Sequence, residues 1–96
     1  MKVRAVEAAK QEIAGAIAYH RGISSILGDR FERALNRAIL EMIDYPTMHP
    51  YVSDKHRRRR MKKFKYGIVY EIISDEIVII AFMHQSRQPD YWKDRA

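Results

Sequence analysis

The sequence predicts an α+β fold in the order β-α-α-β-β-β, with two helices packed on one face of a small, twisted, mainly antiparallel sheet. Two observations carry this prediction. Apolar residues recur at helical spacing through the first half of the chain, and two runs rich in β-branched and aromatic residues lie in the second half. A chain of 96 residues supports one modest core, so we expect residues 1–96 to form a single domain.

The first half is predicted to contain a short strand and two amphipathic helices. Residues 2–6, KVRAV, alternate weakly in the manner of a strand. From Glu7 to about Arg21 apolar and small residues recur every three or four positions, and Gly22 is expected to end this helix. The segment SSILG is interpreted as a connection. Asp29, with Glu32 three positions later, resembles a capping box that opens the second helix.

The second half is predicted to form three strands in a meander. The runs YGIVYEII (66–73) and EIVIIAFMH (76–84) flank a polar Ser-Asp pair that suits a tight hairpin turn. The second run is apolar on both faces, as expected of a central strand, and we expect the helices to cover it. The preceding block 55–65 is predicted to be extended, with a bulge or a strand end near Lys62. Pro89 is expected to turn the C-terminal tail.

The positive charge of the chain is concentrated in the block KHRRRRMKKFK. The chain has 18 basic and 12 acidic residues, a formal charge of +6, and eight of the basic residues lie between positions 55 and 65. A concentrated positive patch on a nearly neutral body favours nucleic acid, an acidic protein or an anionic membrane as the partner. The membrane is disfavoured because no apolar helix face accompanies the block.

The composition excludes several other classes of site. The chain has no cysteine, so a disulfide framework, a thiolate zinc site and a cysteine nucleophile are excluded. His20, His49 and His56 lack the spacing of a metal site, and we expect neither a metal nor another cofactor. No stretch approaches about 18 consecutive apolar residues, and the amino terminus lacks the apolar core of a signal peptide. A cytoplasmic protein that does not enter a membrane is therefore expected.

Several motifs together resemble the RelE/ParE superfamily of bacterial toxins. They are the run F-x-Y-G-I-V-Y-E-I (64–72), the apolar strand that ends at His84, and the tail pattern H-x-x-R-x-P-x-Y-W-x-x-R (84–95). The resemblance covers essentially the whole chain. It implies a growth-inhibiting toxin of a toxin–antitoxin module, held inactive in a hetero-oligomer with a cognate acidic antitoxin.

The superfamily contains two kinds of toxin, and the sequence offers support for each. RelE-like members are endoribonucleases that cut messenger RNA on the ribosome without a metal ion, whereas ParE-like members block DNA gyrase without catalysis. The basic strand and the tail together describe a phosphate site, which favours the ribonuclease as the first hypothesis. Gly67 stands where a ribonuclease often carries another arginine, and the strand end MHQS (83–86) resembles several ParE-like sequences. Gyrase inhibition is therefore the alternative.

Five residues are candidates for catalysis, namely Arg58, Arg60, His84, Arg87 and Tyr91. The resemblance to the ribonuclease branch implies all of them except His84, which is proposed from the chemistry of its ring. Basic side chains would stabilise the crowded phosphate, and the imidazole would exchange protons near neutral pH. Nucleic-acid contacts are expected from five further basic side chains of the block, Arg57, Arg59, Lys62, Lys63 and Lys65.

Each candidate also has a simpler interpretation. The arginines would protect an exposed edge strand by charge or meet an acidic antitoxin segment. His84 would be an ordinary strand-end residue, and Tyr91 and Trp92 would anchor the tail by packing. A plain nucleic-acid-binding module, in which Phe64 and Tyr66 stack on bases, is the third hypothesis.

Overall fold

The computed structural model describes residues 1–95, and its strands and helices follow the predicted order. The elements are β1 (Lys2–Ala5), α1 (Glu7–Ile23), α2 (Ser25–Asp44), β2 (Arg57–Arg60), β3 (Tyr66–Ile73) and β4 (Glu76–His84). The strands form one sheet in the order β1-β4-β3-β2, in which β1 runs parallel to β4 and the other neighbours are antiparallel. The predicted α+β fold, with both helices on one face of the sheet, is confirmed.

The boundary between the two helices differs from the prediction. α1 continues past Gly22, and α2 begins at Ser25, so the predicted connection and the predicted capping box at Asp29 are wrong. Ser24 caps α2 instead, because its Oγ accepts a hydrogen bond of 3.0 Å from the backbone N–H of Leu27. The serine at the first position of SSILG is therefore the helix start signal.

The two acidic residues mistaken for a cap join the helices to each other. Asp29 and Glu32 both form ion pairs with Arg21 of α1. The helices also approach closely there, because a Cβ atom at Gly28 would lie only 2.9 Å from the Cα of Arg21. The exposed ion pairs contribute little individually, so the close approach at this glycine is the tighter constraint on the helix hairpin.

β4 supplies core residues to both faces of the sheet. Its pairing with β3 leaves one residue, Ile80, without a partner, which is a β-bulge. The bulge lets Ile79 and Phe82 face the helices while Ile80 and Ala81 face the opposite side. β3 and β4 are joined by the predicted Ser-Asp turn, where both residues have positive φ as in a type I′ hairpin. β2 ends at Arg60, close to the predicted strand end.

The C-terminal tail covers the face of the sheet opposite the helices. Trp92 is 1 % exposed and packs with apolar residues of β3 and β4, namely Val69, Val78, Ile80, Ala81 and Met83. The predicted cover of β4 by the helices is confirmed for one face only, because both helices lie on that face. The turn at Pro89 and the packing role of Trp92 are confirmed. Truncating a buried tryptophan of this kind costs about 3–5 kcal/mol.

His56 lies buried beside this tryptophan. The two ring centroids are 4.7 Å apart, and the histidine is 4 % exposed. Its Nδ1 lies 2.7 Å from Ser53 Oγ, and its Nε2 lies 3.8 Å from a carboxylate oxygen of Glu71. Burial lowers the pKa of His56, although the nearby Glu71 carboxylate opposes the shift. The neutral imidazole is therefore the form that the fold favours.

We expect the protein to lose stability in mild acid. The folded state binds a proton at His56 less readily than the unfolded chain does. The contribution of the neutral His56 ring to the free energy of unfolding is therefore fully present above the ordinary pKa of 6.5 and is lost as the pH falls below it. His49, whose pKa burial also lowers, adds a contribution of the same sign. Urea unfolding followed by Trp92 fluorescence, at pH values from about 7 to about 5, measures the slope of the free energy of unfolding against pH. His56→Gln should flatten it, and a wild-type free energy of unfolding that stays constant across this range would contradict the assignment.

Candidate functional site

The four consecutive arginines of β2 divide between the two faces of the sheet, because successive strand residues point in opposite directions. Arg58 and Arg60 lie opposite Val69 and Gly67 of β3. Val69 belongs to the cluster around Trp92, so this pair of arginines lies on the face that the tail covers.

The other two arginines of β2 lie on the helix face and are engaged within the fold. Arg57 donates hydrogen bonds of 2.9 and 2.8 Å to two carbonyl oxygens of the preceding loop, and its guanidinium lies 3.9 Å from the ring centroid of Tyr51. Arg59 is 8 % exposed and pairs with Glu41 of α2. Both residues were predicted to contact nucleic acid, and here both guanidinium groups hold the β2 region against its neighbours.

A cleft of ≈ 240 Å³ brings Arg58 and Arg60 together with Arg87 of the tail. We call it the arginine cleft, and its lining residues are Arg58, Arg60, Tyr66, Gly67, Met83, Gln85, Arg87 and Pro89. Three of the five candidate catalytic residues therefore converge, and they do so on the face opposite the helices.

The three cleft arginines carry positive charge that no acidic side chain of the described part of the chain pairs with. Within residues 1–95 none of the three guanidinium groups forms a salt bridge. Burial lowers the pKa of Arg58, and the like charge of Arg60 lowers it further. An anion placed between the three groups would relieve this repulsion and accept paired hydrogen bonds from the planar guanidinium forks.

Gly67 forms the floor on which the Arg58 side chain rests. A Cβ atom at this position would lie 3.3 Å from Cδ and 3.4 Å from Cγ of Arg58, closer than ordinary van der Waals contact. The ribonuclease pattern often has an arginine at this position. Here Gly67 occupies it and leaves room for the side chain of Arg58.

The other two candidate catalytic residues, His84 and Tyr91, are not among the residues that line the arginine cleft. The ring of His84 lies edge-on to Tyr66 at 5.1 Å between centroids, and its Nδ1 accepts a hydrogen bond from the backbone N–H of Ser86. The Tyr91 hydroxyl donates a hydrogen bond of 2.6 Å to Glu12. Burial, together with this hydrogen bond, raises the pKa of Tyr91 to about 12. The tyrosine therefore keeps its proton at neutral pH and directs it to a carboxylate.

The predicted lysine contacts lie apart from the arginine cleft. Lys62 and Lys63 line a second groove, of ≈ 660 Å³, between α2 and residues 59–64. Its other basic residues are Arg30, Arg33, Arg37 and Arg59, and its apolar residues are Leu27, Ala34, Ala38, Met61 and Phe64. Glu41 also lines the groove and pairs with Arg59. We call it the basic groove. Lys65 is exposed and lines neither depression.

Glu12 is the functional candidate that sequence reasoning missed. This carboxylate of α1 accepts hydrogen bonds from Tyr91, from Arg95 and from the backbone N–H of Phe82. These partners lie 70 to 83 positions away in the sequence, so no local pattern indicates them. The only signal is an acidic residue set among the apolar positions of an amphipathic helix, and that signal is common.

A helix hairpin on a four-stranded sheet, with an arginine-lined cleft on the opposite face, defines a small basic α+β protein. The family model for the ParE toxin of type II toxin–antitoxin systems, parDE, matches residues 3–89, and the chain belongs to this family. The predicted resemblance to the RelE/ParE superfamily is confirmed. No curated protein matches the chain. Family membership implies a cognate antitoxin as partner.

The matched region ends at Pro89, so it contains the whole arginine cleft, while Tyr91, Trp92 and Arg95 lie beyond it. Across residues 1–95, neither helix is long and apolar enough to span a bilayer. Within the same residues, no group of three histidine or carboxylate side chains is arranged to hold a metal ion.

We expect Gly67→Ala to impair the arginine cleft selectively. The added methyl group must displace the flexible Arg58 side chain by a few tenths of an ångström, which should lower the affinity for inorganic phosphate by about two- to fivefold. The free energy of unfolding should change by less than about 1 kcal/mol. Phosphate titration followed by NMR, with urea unfolding alongside, measures both quantities.

Gly15→Ala is the matched control for this substitution. Gly15 lies in α1, and nothing lies within 4 Å of the position that an added methyl group would take, so the substitution should leave phosphate affinity unchanged. Equal phosphate affinity in the Gly67→Ala protein and the wild type would show that the Arg58 stem does not define the cleft.

Proposed function

We propose that this toxin inhibits growth by binding DNA gyrase, and that the arginine cleft is its anion-binding contact. ParE-like members of the superfamily act on gyrase, and the family match supports the same target here. The observation that carries the proposal is the chemistry of the cleft. Its lining supplies three guanidinium groups, one amide and the phenol of Tyr66, whose pKa burial raises, and among the described lining residues there is neither a histidine nor a carboxylate.

The positions of the proton-transfer candidates support binding in preference to catalysis. Cleavage of RNA without a metal needs one group to accept the proton of the 2′-hydroxyl and another to protonate the leaving oxygen, both within hydrogen-bond reach. His84 packs on the ring of Tyr66 outside the cleft lining, and the Tyr91 proton is directed to Glu12. On this ground we propose gyrase inhibition first and the ribonuclease second, the reverse of the order drawn from the sequence.

The cleft is suited to oxyanions. Arg58 and Arg60 approach from β2 and Arg87 approaches from the tail, so a phosphate or carboxylate group between them would be held from two directions. A complex of gyrase with DNA offers both groups, as acidic side chains and as backbone phosphates. Binding through charge-assisted hydrogen bonds of this kind weakens as salt concentration rises.

A ribosome-dependent messenger RNA endoribonuclease is the second candidate function. The convergence of three arginines on a small cleft favours it, because such a cluster would stabilise the charge that develops on a phosphate during cleavage. Under this hypothesis Arg58, Arg60 and Arg87 keep their proposed roles on the phosphate. Both candidate targets are cytoplasmic.

The cognate antitoxin is proposed to be acidic and to form a hetero-oligomer with the toxin. The basic groove combines a cationic rim with an apolar floor that includes Met61 and Phe64. An amphipathic segment with an acidic face would complement both features. In that complex Lys62 and Lys63 would contact carboxylates of the antitoxin instead of the nucleic acid predicted from the sequence.

A supercoiling assay with purified gyrase, free of ribosomes, tests the proposed target. Wild-type protein should block supercoiling, and Arg87→Ala should weaken the inhibition by about tenfold, as expected for the loss of one charge-assisted contact. Lys10→Ala removes an equal charge from an exposed position on α1 and should inhibit like the wild type.

A parallel translation reaction with purified ribosomes, followed by primer extension, tests the second candidate. Discrete messenger cuts together with an unchanged supercoiling rate at high toxin excess would overturn gyrase inhibition in favour of the ribonuclease. Inhibited supercoiling without cuts is the expected result.

A further inference from the structure

The edge of β4 beyond β1 is closed by side chains instead of a strand. β1 pairs with β4 only as far as Ile79, whose carbonyl accepts the N–H of Val6. Further along the same edge, the Phe82 N–H donates a hydrogen bond of 3.0 Å to Glu12, and the Ile80 carbonyl accepts one of 3.1 Å from Arg95. Glu12 thus accepts a hydrogen bond from the free edge of β4 and also contacts the C-terminal tail.

The Glu12 carboxylate is held by several donors at once. One oxygen accepts from Arg95 Nη1 at 2.7 Å and the other from Arg95 Nη2 at 3.1 Å, in addition to Tyr91 and the Phe82 N–H. Burial alone would raise the pKa of Glu12, but the hydrogen bonds from Arg95, Tyr91 and Phe82 together lower it. The group is therefore an ionised carboxylate that fixes the direction of the Tyr91 hydroxyl.

Tyr91 connects this carboxylate to the arginine cleft. Its hydroxyl lies on Glu12, and its ring lies under the guanidinium group of Arg87, 4.0 Å from the ring centroid. Arg87 is otherwise exposed, and within residues 1–95 it forms no salt bridge. The stacking on Tyr91 is therefore the contact that gives this long side chain a preferred direction.

We propose that Glu12 is a positioning residue for the arginine cleft, acting through Tyr91 to hold the guanidinium of Arg87 in place. The inference deepens the proposed function and rests on it in one respect, namely that the cleft binds an anion. Glu12 itself contacts no ligand in this scheme. It fixes the phenol ring, and the ring orients the arginine.

This role is separable from general anchoring of the tail. Trp92 holds the tail to the sheet by apolar burial among residues of β3 and β4. Replacing the Glu12 carboxylate by an amide should therefore leave the tail in place while weakening its grip on the Tyr91 hydroxyl, because a charge-assisted hydrogen bond becomes a neutral one. The tail would stay folded, but the Tyr91 ring would no longer hold the Arg87 guanidinium in one position.

Glu12→Gln is the direct variant, and Glu7→Gln is its matched control, since Glu7 is an exposed glutamate of the same helix. Two measurements are made on each full-length protein. The NMR shift of the Arg87 side-chain N–H reports the ring current of Tyr91, and titration with inorganic phosphate reports the affinity of the cleft. Glu12→Gln should move the Arg87 resonance towards its unstacked position and lower phosphate affinity by about threefold. Glu7→Gln should change neither.

A double-substitution cycle separates positioning from loss of structure. If Glu12 acts through Arg87, Glu12→Gln should reduce phosphate affinity in the wild-type background and have no further effect in an Arg87→Ala background. Tyr91→Phe, which removes the hydroxyl and keeps the ring, breaks the same link from the other side and should reproduce the Glu12→Gln result. An equal loss in both backgrounds, or an unmoved Arg87 resonance in Glu12→Gln, would overturn the proposal.

The failure of this inference is distinguishable from failure of the proposed function. A wild-type protein that does not bind phosphate, and does not inhibit gyrase, would remove the anion-binding role of the cleft. The Arg87 resonance in Glu12→Gln would still decide whether Glu12 sets the position of this side chain.

Discussion

The central strand of this small protein is apolar on both faces, and each face must be covered for the sheet to be stable in water. The helix hairpin covers one face through residues such as Phe31. The tail covers the other face, with Trp92 inserted among apolar residues of β3 and β4. Burial of this tryptophan forces the chain to fold back across the sheet after β4. The same path carries Arg87 over to Arg58 and Arg60, so the cleft is a geometric consequence of core packing.

Polar contacts fix the position of the tail more closely than apolar burial does, because hydrogen bonds are directional. Because β1 is short, the end of β4 has backbone groups without a strand partner, and Glu12 and Arg95 satisfy them. An ionised carboxylate on α1 thereby fixes the side chains that flank Arg87. These buried contacts stabilise the fold, so it tolerates three cleft guanidinium groups that form no salt bridge within residues 1–95. Uncompensated charge of this kind costs stability and favours binding of an oppositely charged partner.

Much of the fold follows from the sequence because its determinants are local. Helical spacing, β-branched runs and the Ser-Asp turn indicate the elements, and parity along β2 indicates which arginines share a face. The predicted start of the second helix was wrong because Asp29 and Glu32 have the spacing of a capping box. They form ion pairs with Arg21 instead, a contact that requires both helices to be in place. The role of Glu12 was missed for the same reason, since its partners come from β4 and the tail. The convergence of Arg87 with β2 was anticipated only through the family resemblance.

A crystal structure of the protein grown with selenate, a phosphate-like anion with an anomalous signal, tests the central claim most directly. We expect a selenium peak between the guanidinium groups of Arg58, Arg60 and Arg87, with Trp92 buried on the face opposite the helices. A tail that leaves the sheet after His84, with Arg87 remote from β2 and no anion at the cleft, would contradict it.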